Sequence, residues 1–503
     1  MSASPYVLAI DQGTTSTRAI LFDAMGRARK IAQIELRQFY PHPGWVEHDP
    51  EEIWSGVVST CRAAAAAADG PIAAIGVTNQ RETTLLWERA TGRPIHHAIV
   101  WQDRRTAELC ERWRAAGLAD IVAQHTGLII DPYFSASKIR WLLDNLPGMR
   151  ERAQAGEIAF GTIDSFLLWR LSGGRRHATD VTNASRTMLF DIHRLTWDSD
   201  LCKAFEIPPA VLPEVLDTDG DYGAVTQEFL GAAIPIAGIA GDQQAALIGQ
   251  ACFRPGMVKS TYGTGAFALL NIGGTPAVSR HRLLTTIAYR IDGTTAYAFE
   301  GSIFVAGGAV EWLRDQLGAI TAAAESEQLA KRADPQQRVY LVPGFAGLGA
   351  PYWAPQARGA LIGLTAECGL PEIARATLEA VGYQTRDLVE AMAADAGVAV
   401  SRLRVDGGMA ASDWAMQFIA DVVPTIVERP ASIETTAWGA AYAAGLARGL
   451  YPGLEVMFAE WRPERRFLPK MSEIEREERY QGWRRAVASV LAAAAPDSAG
   501  TAS

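Results

Sequence analysis

Tyr6-Val7-Leu8-Ala9-Ile10-Asp11-Gln12-Gly13-Thr14-Thr15-Ser16-Thr17-Arg18-Ala19-Ile20-Leu21-Phe22 is the stretch that decides the fold. Tyr6 to Ile10 is a short apolar run of β-formers, Asp11 to Ser16 is polar and carries a glycine, and Arg18 to Phe22 is apolar again. The segment therefore reads as strand, turn, strand. The same pattern returns near the midpoint, with Met257 to Thr261 as strand, Tyr262-Gly263-Thr264-Gly265 as turn and Ala266 to Ile272 as strand, Gly263 standing 250 residues after Gly13. A solenoid unit is only about 20 to 50 residues long. The recurrence instead predicts two similar domains, residues 1–250 and 251–503, each giving one hairpin to a shared site.

Outward from the first hairpin, strands are expected at Ile72 to Thr78, Ala98 to Trp101, Ile158 to Thr162 and Ile236 to Ala240, with helices such as Pro50 to Ala68 and Asp164 to Leu171 between them. Alternating strands and helices predict an α/β architecture. The final segment, Ser472 to Ala495, is acidic early and arginine-bearing later, as a helix dipole favours, and the closing PDSAGTAS reads as a frayed tail.

A chain of 503 residues with 49% hydrophobic and 20% charged side chains is too long for one core and too apolar for disorder. Its net charge of −9 argues against nucleic acid or an acidic membrane as partner. A small phosphorylated ligand in a cleft is compatible with that charge. Cys61, Cys110, Cys202, Cys252 and Cys368 are scattered without paired spacing, which predicts reduced, buried thiols. The opening MSASPYVLAIDQG lacks a basic segment followed by a long apolar one, and the expected location is the cytoplasm, away from membranes.

The turn Asp11-Gln12-Gly13-Thr14-Thr15-Ser16, with Arg18 beyond it, follows a strand directly, so its amides and hydroxyls can converge on one anion such as the β- and γ-phosphates of a nucleotide. Asp11 is placed to hold Mg²⁺ through water. Alone, this turn is equally well an ordinary hairpin; the second one, Gly263-Thr264-Gly265, repeats the device. A third cluster, Val405-Asp406-Gly407-Gly408-Met409-Ala410, precedes a helix expected over Asp413 to Val422 and offers backbone approach to an adenosine. No lysine follows a glycine, which excludes a P-loop, and H-E-x-x-H and G-x-S-x-G are absent too. Polar clusters at strand ends, Asn79-Gln80-Arg81-Glu82-Thr83, Trp101-Gln102-Asp103-Arg104-Arg105, Asp131-Pro132-Tyr133-Phe134 and Gly241-Asp242-Gln243-Gln244, supply a guanidinium fork, carboxylates and aromatic faces for a small polyol. Taken singly, each is as well explained by a salt bridge or helix cap, and Arg104, Arg105 and Glu108 read as solvated helix charges.

At these residues the sequence resembles the FGGY family of carbohydrate kinases. The match runs in order from residue 6 to about 445 through DQGTTSTR, YPHPGWVEHDPEEIW, GVTNQRETT, IVWQDRRTAE, FGTIDSFLLWRL, GIAGDQQAALIGQ, TYGTGAF, GLGAPYWAPQARGALIGLT and RVDGGMA. The resemblance implies the two-domain actin, hexokinase and Hsp70-like (ribonuclease H-like) fold around a central cleft. It implies transfer of a phosphoryl group from ATP, with Mg²⁺, to a hydroxyl of glycerol. By the same resemblance Asp11, Thr14, Thr15, Ser16 and Arg18 face the ATP phosphates and magnesium, and Thr264, Gly307 and Gly408 line the nucleotide on the other domain. Arg81, Glu82, Tyr133, Asp242 and Gln243 match acceptor-binding positions, with Trp101 and Phe267 against the carbon chain and Asp242 as catalytic base. Glu311 and Ser412 stand near the implied adenine pocket where family members commonly carry glutamine and asparagine. Leu230-Gly231-Ala232-Ala233 lacks the arginine through which some members bind fructose 1,6-bisphosphate, so that inhibition is not expected. A homodimer or homotetramer is the expected assembly.

Three alternatives stay open at this point. The acceptor could be another polyol or a ketose such as xylulose. The chain could be an actin- or Hsp70-like ATPase whose closure serves a protein partner, although the dense polar set for a triol argues against that. A dehydrogenase is remote, because Gly263-x-Gly265 lacks the further glycine and acidic ribose partner of a dinucleotide fingerprint.

Overall fold

The computed structural model describes residues 4–494. Two mixed sheets carry the architecture. In the five-stranded sheet the order is Ile236–Gly241, Ile72–Asn79, Tyr6–Gln12, Ser16–Phe22, Ala28–Glu35. The last three form an antiparallel meander, whereas Ile72–Asn79 runs parallel to Tyr6–Gln12, and Ile236–Gly241 parallel to Ile72–Asn79. The seven-stranded sheet repeats the scheme in the order Leu284–Ile291, Thr294–Ile303, Ala266–Gly273, Met257–Tyr262, Arg402–Asp406, Val427–Pro430, Pro463–Phe467. Its hairpin, Met257–Tyr262 with Ala266–Gly273, is antiparallel, and Arg402–Asp406 joins it in parallel.

Tyr6–Gln12 is buried along its whole length, which is why it reads as an unbroken apolar run rather than an alternation. Successive side chains still point to opposite faces. Leu8 and Ile10 pack in a core with Ile53, Val57 and Cys61 of the helix Pro50–Ala65. Val7 and Ala9 pack on the other face with Ala437 and Ala441 of the helix Thr435–Ala447. The second sheet is covered by Leu370–Ala396, Asp413–Val422 and Glu473–Ala494, which bury Tyr383, Phe418 and Trp483.

The helix Thr435–Ala447 is almost all small residues, and the reason is contact of backbone on backbone. A Cβ on Gly439 would lie 1.8 Å from the carbonyl oxygen of Ala245, and one on Gly249 would lie 2.0 Å from that of Thr435. The helix Asp242–Gly249 is thereby pinned where it crosses Thr435–Ala447.

Both hairpins and the helices at Asp413–Val422 and Ile163–Leu171 form as the sequence predicts. Three strands and helices are shorter than expected: Pro50–Ala65 ends before Ala68, the strand Ala98–Ile99 gives way to a turn at Trp101, and Ile158–Gly161 stops before Thr162. The tail Pro496 to Ser503 lies outside the described residues. Four cysteines are buried and free as expected, whereas Cys368 is half-buried because it sits in the loop ahead of Leu370–Ala396. Among the described residues no helix is long and apolar enough to cross a membrane.

Candidate active site

Ile72–Asn79 and Ile236–Gly241 are parallel neighbours with Asn79 opposite Gly241, so the residues just past their ends meet. There the Nε of Arg81 lies 3.4 Å from Oδ1 of Asp242. The remaining guanidinium nitrogens donate to Glu300 at 2.5 and 2.9 Å, to Gln244 at 3.2 Å and to the Tyr133 hydroxyl at 3.3 Å. Glu300 comes from Thr294–Ile303 of the other sheet. Arg186 completes the group by donating to Glu82 at 2.6 Å and Glu300 at 2.8 Å. Arg81, Glu82, Arg186 and Glu300 are all buried, and their charges cancel. Burial pushes the Glu300 carboxyl up, but Arg186 and Arg81 outweigh it and hold the group at about 2. For Glu82 burial wins, and its pKa is raised despite Arg81 and Arg186.

Glu82 also has φ of 58°, a left-handed conformation costing about 1–3 kcal/mol for a residue with a side chain. Its carbonyl oxygen accepts from Thr84 Oγ1 at 2.9 Å, Ser135 Oγ at 3.2 Å and Lys138 Nζ at 3.3 Å, and these donors hold the strained geometry. Lys138 is fully buried and also donates to the carbonyls of Tyr133 at 2.5 Å and Phe134 at 3.4 Å. Burial lowers its pKa to about 8.

Asp242 opens the helix Asp242–Gly249, and its side chain is 31% exposed, so it can be reached from the cleft. Oδ1 accepts the backbone N–H of Gln243 at 2.7 Å, while Oδ2 has no hydrogen-bond partner among the described residues. Burial raises the Asp242 pKa, with Arg81 and then Lys259 opposing. Gln243 in turn accepts at its Oε1 from Lys259 Nζ at 2.6 Å. Trp101 meets Tyr133 edge-on at 5.7 Å and Phe267 edge-on at 6.1 Å, which joins an aromatic of the second hairpin to the first half of the chain. The Trp101 indole N–H donates to Thr14 Oγ1 at 3.0 Å, so the wall beside Asp242 is tied to the first hairpin. The polar and aromatic candidates Arg81, Glu82, Trp101, Tyr133, Asp242, Gln243 and Phe267 therefore share one connected cluster with Thr14.

The first hairpin is closed by Gly13 N–H donating to Ser16 O at 2.9 Å, with Thr15 exposed at its tip. Asp11 is buried and paired with Arg18 at 3.2 Å; Arg18 also donates to Glu434 at 2.9 Å. Burial lifts the Asp11 pKa to about 6; Arg18 lowers it, and Asp242 and Glu434 raise it further. Beneath this turn, Gln80 donates to Gln12 Oε1 and Gly13 O, both at 3.1 Å, and contacts Nδ1 of buried His48 at 3.2 Å. In the second hairpin the N–H groups of Ala306 and Gly308 donate to Thr264 O at 2.7 and 2.9 Å, and that of Gly307 to Gly263 O at 2.9 Å. The turn is thus locked to the start of the helix Gly307–Asp315, on which Glu311 is exposed. Gly408 is exposed in the turn Gly408–Ala411. Ser412 caps Asp413–Val422 through Ala415 N at 3.2 Å and donates to Glu327 at 2.7 Å.

One sequence expectation is overturned. Arg105 is not a solvated helix charge: its side chain is fully buried, bound to Glu47 at 2.7 Å and Asp103 at 2.8 Å, with its guanidinium 3.8 Å from the Trp45 ring centre. The cause is its place before the helix Ala107–Ala115, in the turn where Asp103 folds back on it. Arg104 and Glu108 are exposed as expected. Sequence reasoning missed Arg186, Lys138, Lys259, Glu300 and Glu434, of which Lys259 and Glu300 carry a legible sign, a lone charge inside an apolar strand.

The family model for the N-terminal domain of the FGGY family of carbohydrate kinases matches residues 6–249, and that for the C-terminal domain matches residues 258–448. A protein of Methylobacterium nodulans named glycerol kinase is 60% identical over 97% of this chain and 99% of its own length. One of Ectopseudomonas mendocina with the same name is 58% identical over 97% and 99%. Among solved structures, Plasmodium falciparum glycerol kinase with ADP superposes with a TM-score of 0.93 at 36% identity, covering 98% of this chain and 99% of that one. A xylulose kinase of Lactobacillus acidophilus, 22% identical with a TM-score of 0.88 over 98% and 99%, shares the fold. On this evidence the chain belongs to the FGGY family of carbohydrate kinases.

Proposed function

We propose that this chain transfers the γ-phosphoryl group of ATP to a terminal hydroxyl of glycerol, giving sn-glycerol 3-phosphate and ADP. The observation that carries the reading is the near full-length identity of 57–60% to proteins named glycerol kinase. The site chemistry supports it. Phosphoryl transfer needs positioning and charge neutralisation more than covalent help. Trp101, Tyr133 and Phe267 give aromatic faces for the carbon chain of the triol, and Arg81, Glu82 and Gln243 give it polar partners.

Asp242 is the general base in this reading. Its unpartnered Oδ2 accepts the hydroxyl proton as the oxygen attacks phosphorus, and its raised pKa makes it a stronger base than an exposed aspartate. Thr14, Thr15, Ser16 and Arg18 face the phosphates from one side, Thr264 and Gly307 from the other, with Gly408, Glu311 and Ser412 toward the adenosine. A divalent cation fits beside Asp11, because this buried carboxyl has its pKa raised by burial and then by the neighbouring Asp242 and Glu434, and opposing positive charge comes from Arg18, 3.2 Å away. Mg²⁺ held there through water would neutralise phosphate charge. The same reading assigns residues 1–250 to an acceptor-binding domain and 251–503 to a nucleotide-binding one, and places a homodimer or homotetramer in the cytoplasm.

The test is a coupled ADP-release assay with glycerol, dihydroxyacetone, erythritol and xylulose. Glycerol is expected to be preferred, and a five-carbon preference or full ATP turnover without acceptor would end the reading. Asp242→Asn is expected to keep glycerol binding and lower kcat by about 10² or more.

A further inference from the structure

Lys259 lies in the middle of Met257–Tyr262, between Leu269 and Arg404 on the flanking strands, and its side chain is fully buried. A buried ammonium is costly unless something specific receives its hydrogens. Among the described residues Lys259 makes no ion pair, and its hydrogen bond is to Gln243 Oε1, 2.6 Å away on a helix that follows the other sheet. Gln243 is held at a second point, since its backbone N–H donates to Asp242 Oδ1 at 2.7 Å.

We propose that Lys259 is a positioning residue that fixes which end of the Gln243 amide faces the acceptor alcohol. An amide oxygen and NH₂ are nearly the same size, so a glutamine side chain has two orientations differing by a half-turn. An ammonium has three hydrogens to give and no lone pair to receive one, so only the oxygen end can face Lys259. The Nε2 end is thereby committed to the cleft as a donor. The hydroxyl that meets it must accept, which leaves that hydroxyl's own proton free for a neighbouring carboxylate. An alcohol lacking an oxygen at that point leaves the NH₂ group unpaired, a penalty that turns a contact into selection.

This inference rests on glycerol being the acceptor, and the wild-type acceptor panel tests that separately. The experiment measures steady-state kinetics of the full chain as wild type, Lys259→Met, Gln243→Leu, the double variant, and Gln243→Glu. Lys259→Met is expected to raise KM for glycerol about tenfold, to leave KM for ATP within about twofold, and to retain the wild-type melting temperature. The double variant is expected to lose no more than Gln243→Leu alone, because the lysine acts through the glutamine. Gln243→Glu keeps an oxygen for Lys259 but replaces the donor with a second acceptor, and a tenfold or larger rise in KM for glycerol is expected. An unchanged KM for glycerol in Lys259→Met overturns the proposal, as do additive losses in the double variant or wild-type glycerol affinity in Gln243→Glu. Should Lys259→Met not fold, the Gln243→Glu result decides alone.

Discussion

The two hairpins share a topology and differ in chemistry. The first carries charge: Asp11 is buried at the end of its leading strand, Arg18 lies opposite on the return strand, and Glu434 reaches in from elsewhere in the chain. The second, Gly263-Thr264-Gly265, has no ionisable side chain in its turn and is fastened entirely by main-chain bonds to Ala306, Gly307 and Gly308. A repeated backbone device has thus been divided between two tasks. In the proposed reading one hairpin manages the charge of phosphate and cation, and the other brings an uncharged turn close to the ligand, its one charged side chain, Lys259, lying back in the strand Met257–Tyr262.

The largest effect expected from this contrast is on acid stability. His48 lies beneath the first hairpin, and burial lowers its pKa to about 4 from an unperturbed 6.5. Below pH 6.5 the unfolded chain takes up a proton that the folded chain refuses until about pH 4. His48 by itself therefore lowers stability as pH drops across that window, by up to about 3 kcal/mol, whereas Asp11, held at about 6, takes up its proton first in the folded chain and offsets most of that loss below pH 6. In Asp11→Asn, which lacks that offset, hydrogen exchange should show the first hairpin opening ahead of the second as pH falls from 6.5 to 4.5; opening in the reverse order would break the contrast. Next, Asp11→Asn is expected to reduce kcat/KM by about 10- to 100-fold, the scale for a group acting on a metal through an intervening ligand. Raising Mg²⁺ should recover part of the loss, and a loss insensitive to Mg²⁺ would take the charge task away from this hairpin.

Gly265→Ala probes the other turn. The added Cβ would sit 2.6 Å from Ile303 O, and the forced shift is expected to cost about 1–3 kcal/mol in denaturant unfolding with the Mg²⁺ dependence unchanged. A change in Mg²⁺ requirement would show that the two turns are not separable. Smallest is Thr14→Val, which removes the acceptor of the Trp101 indole N–H at about 1 kcal/mol. It should raise KM for glycerol a few-fold, and an unaltered KM would mean that the first hairpin does not steady the aromatic wall.

Both hairpins could be read from sequence because each is local: an apolar run, a glycine-bearing turn and a second apolar run are complete within about twenty residues. Arg81 and Asp242 were readable for a related reason, since each follows a strand end directly. The partners that give these residues their properties were not readable. Glu300 is 219 positions from Arg81, and Glu434 is 416 from Arg18, so only the packing of one sheet's elements against the other's brings them together. Arg105 shows the opposite error, where a local charge pattern suggested solvent but Glu47, Asp103 and two tryptophans had closed around it. Charge isolated in an apolar strand, as at Lys259 and Glu300, is the part of that hidden layer that sequence does advertise.

The crossing of Asp242–Gly249 with Thr435–Ala447 has a consequence for how this enzyme tolerates change. At Gly249 and Gly439 the gap between the helices is set by peptide atoms, which have the same dimensions in every sequence. Asp242 stands seven positions from Gly249, about 10 Å along the helix axis. Its carboxylate is therefore surveyed from a main-chain benchmark. Substitutions can accumulate in the surrounding cores while this carboxylate keeps its coordinates, so long as those two positions stay bare.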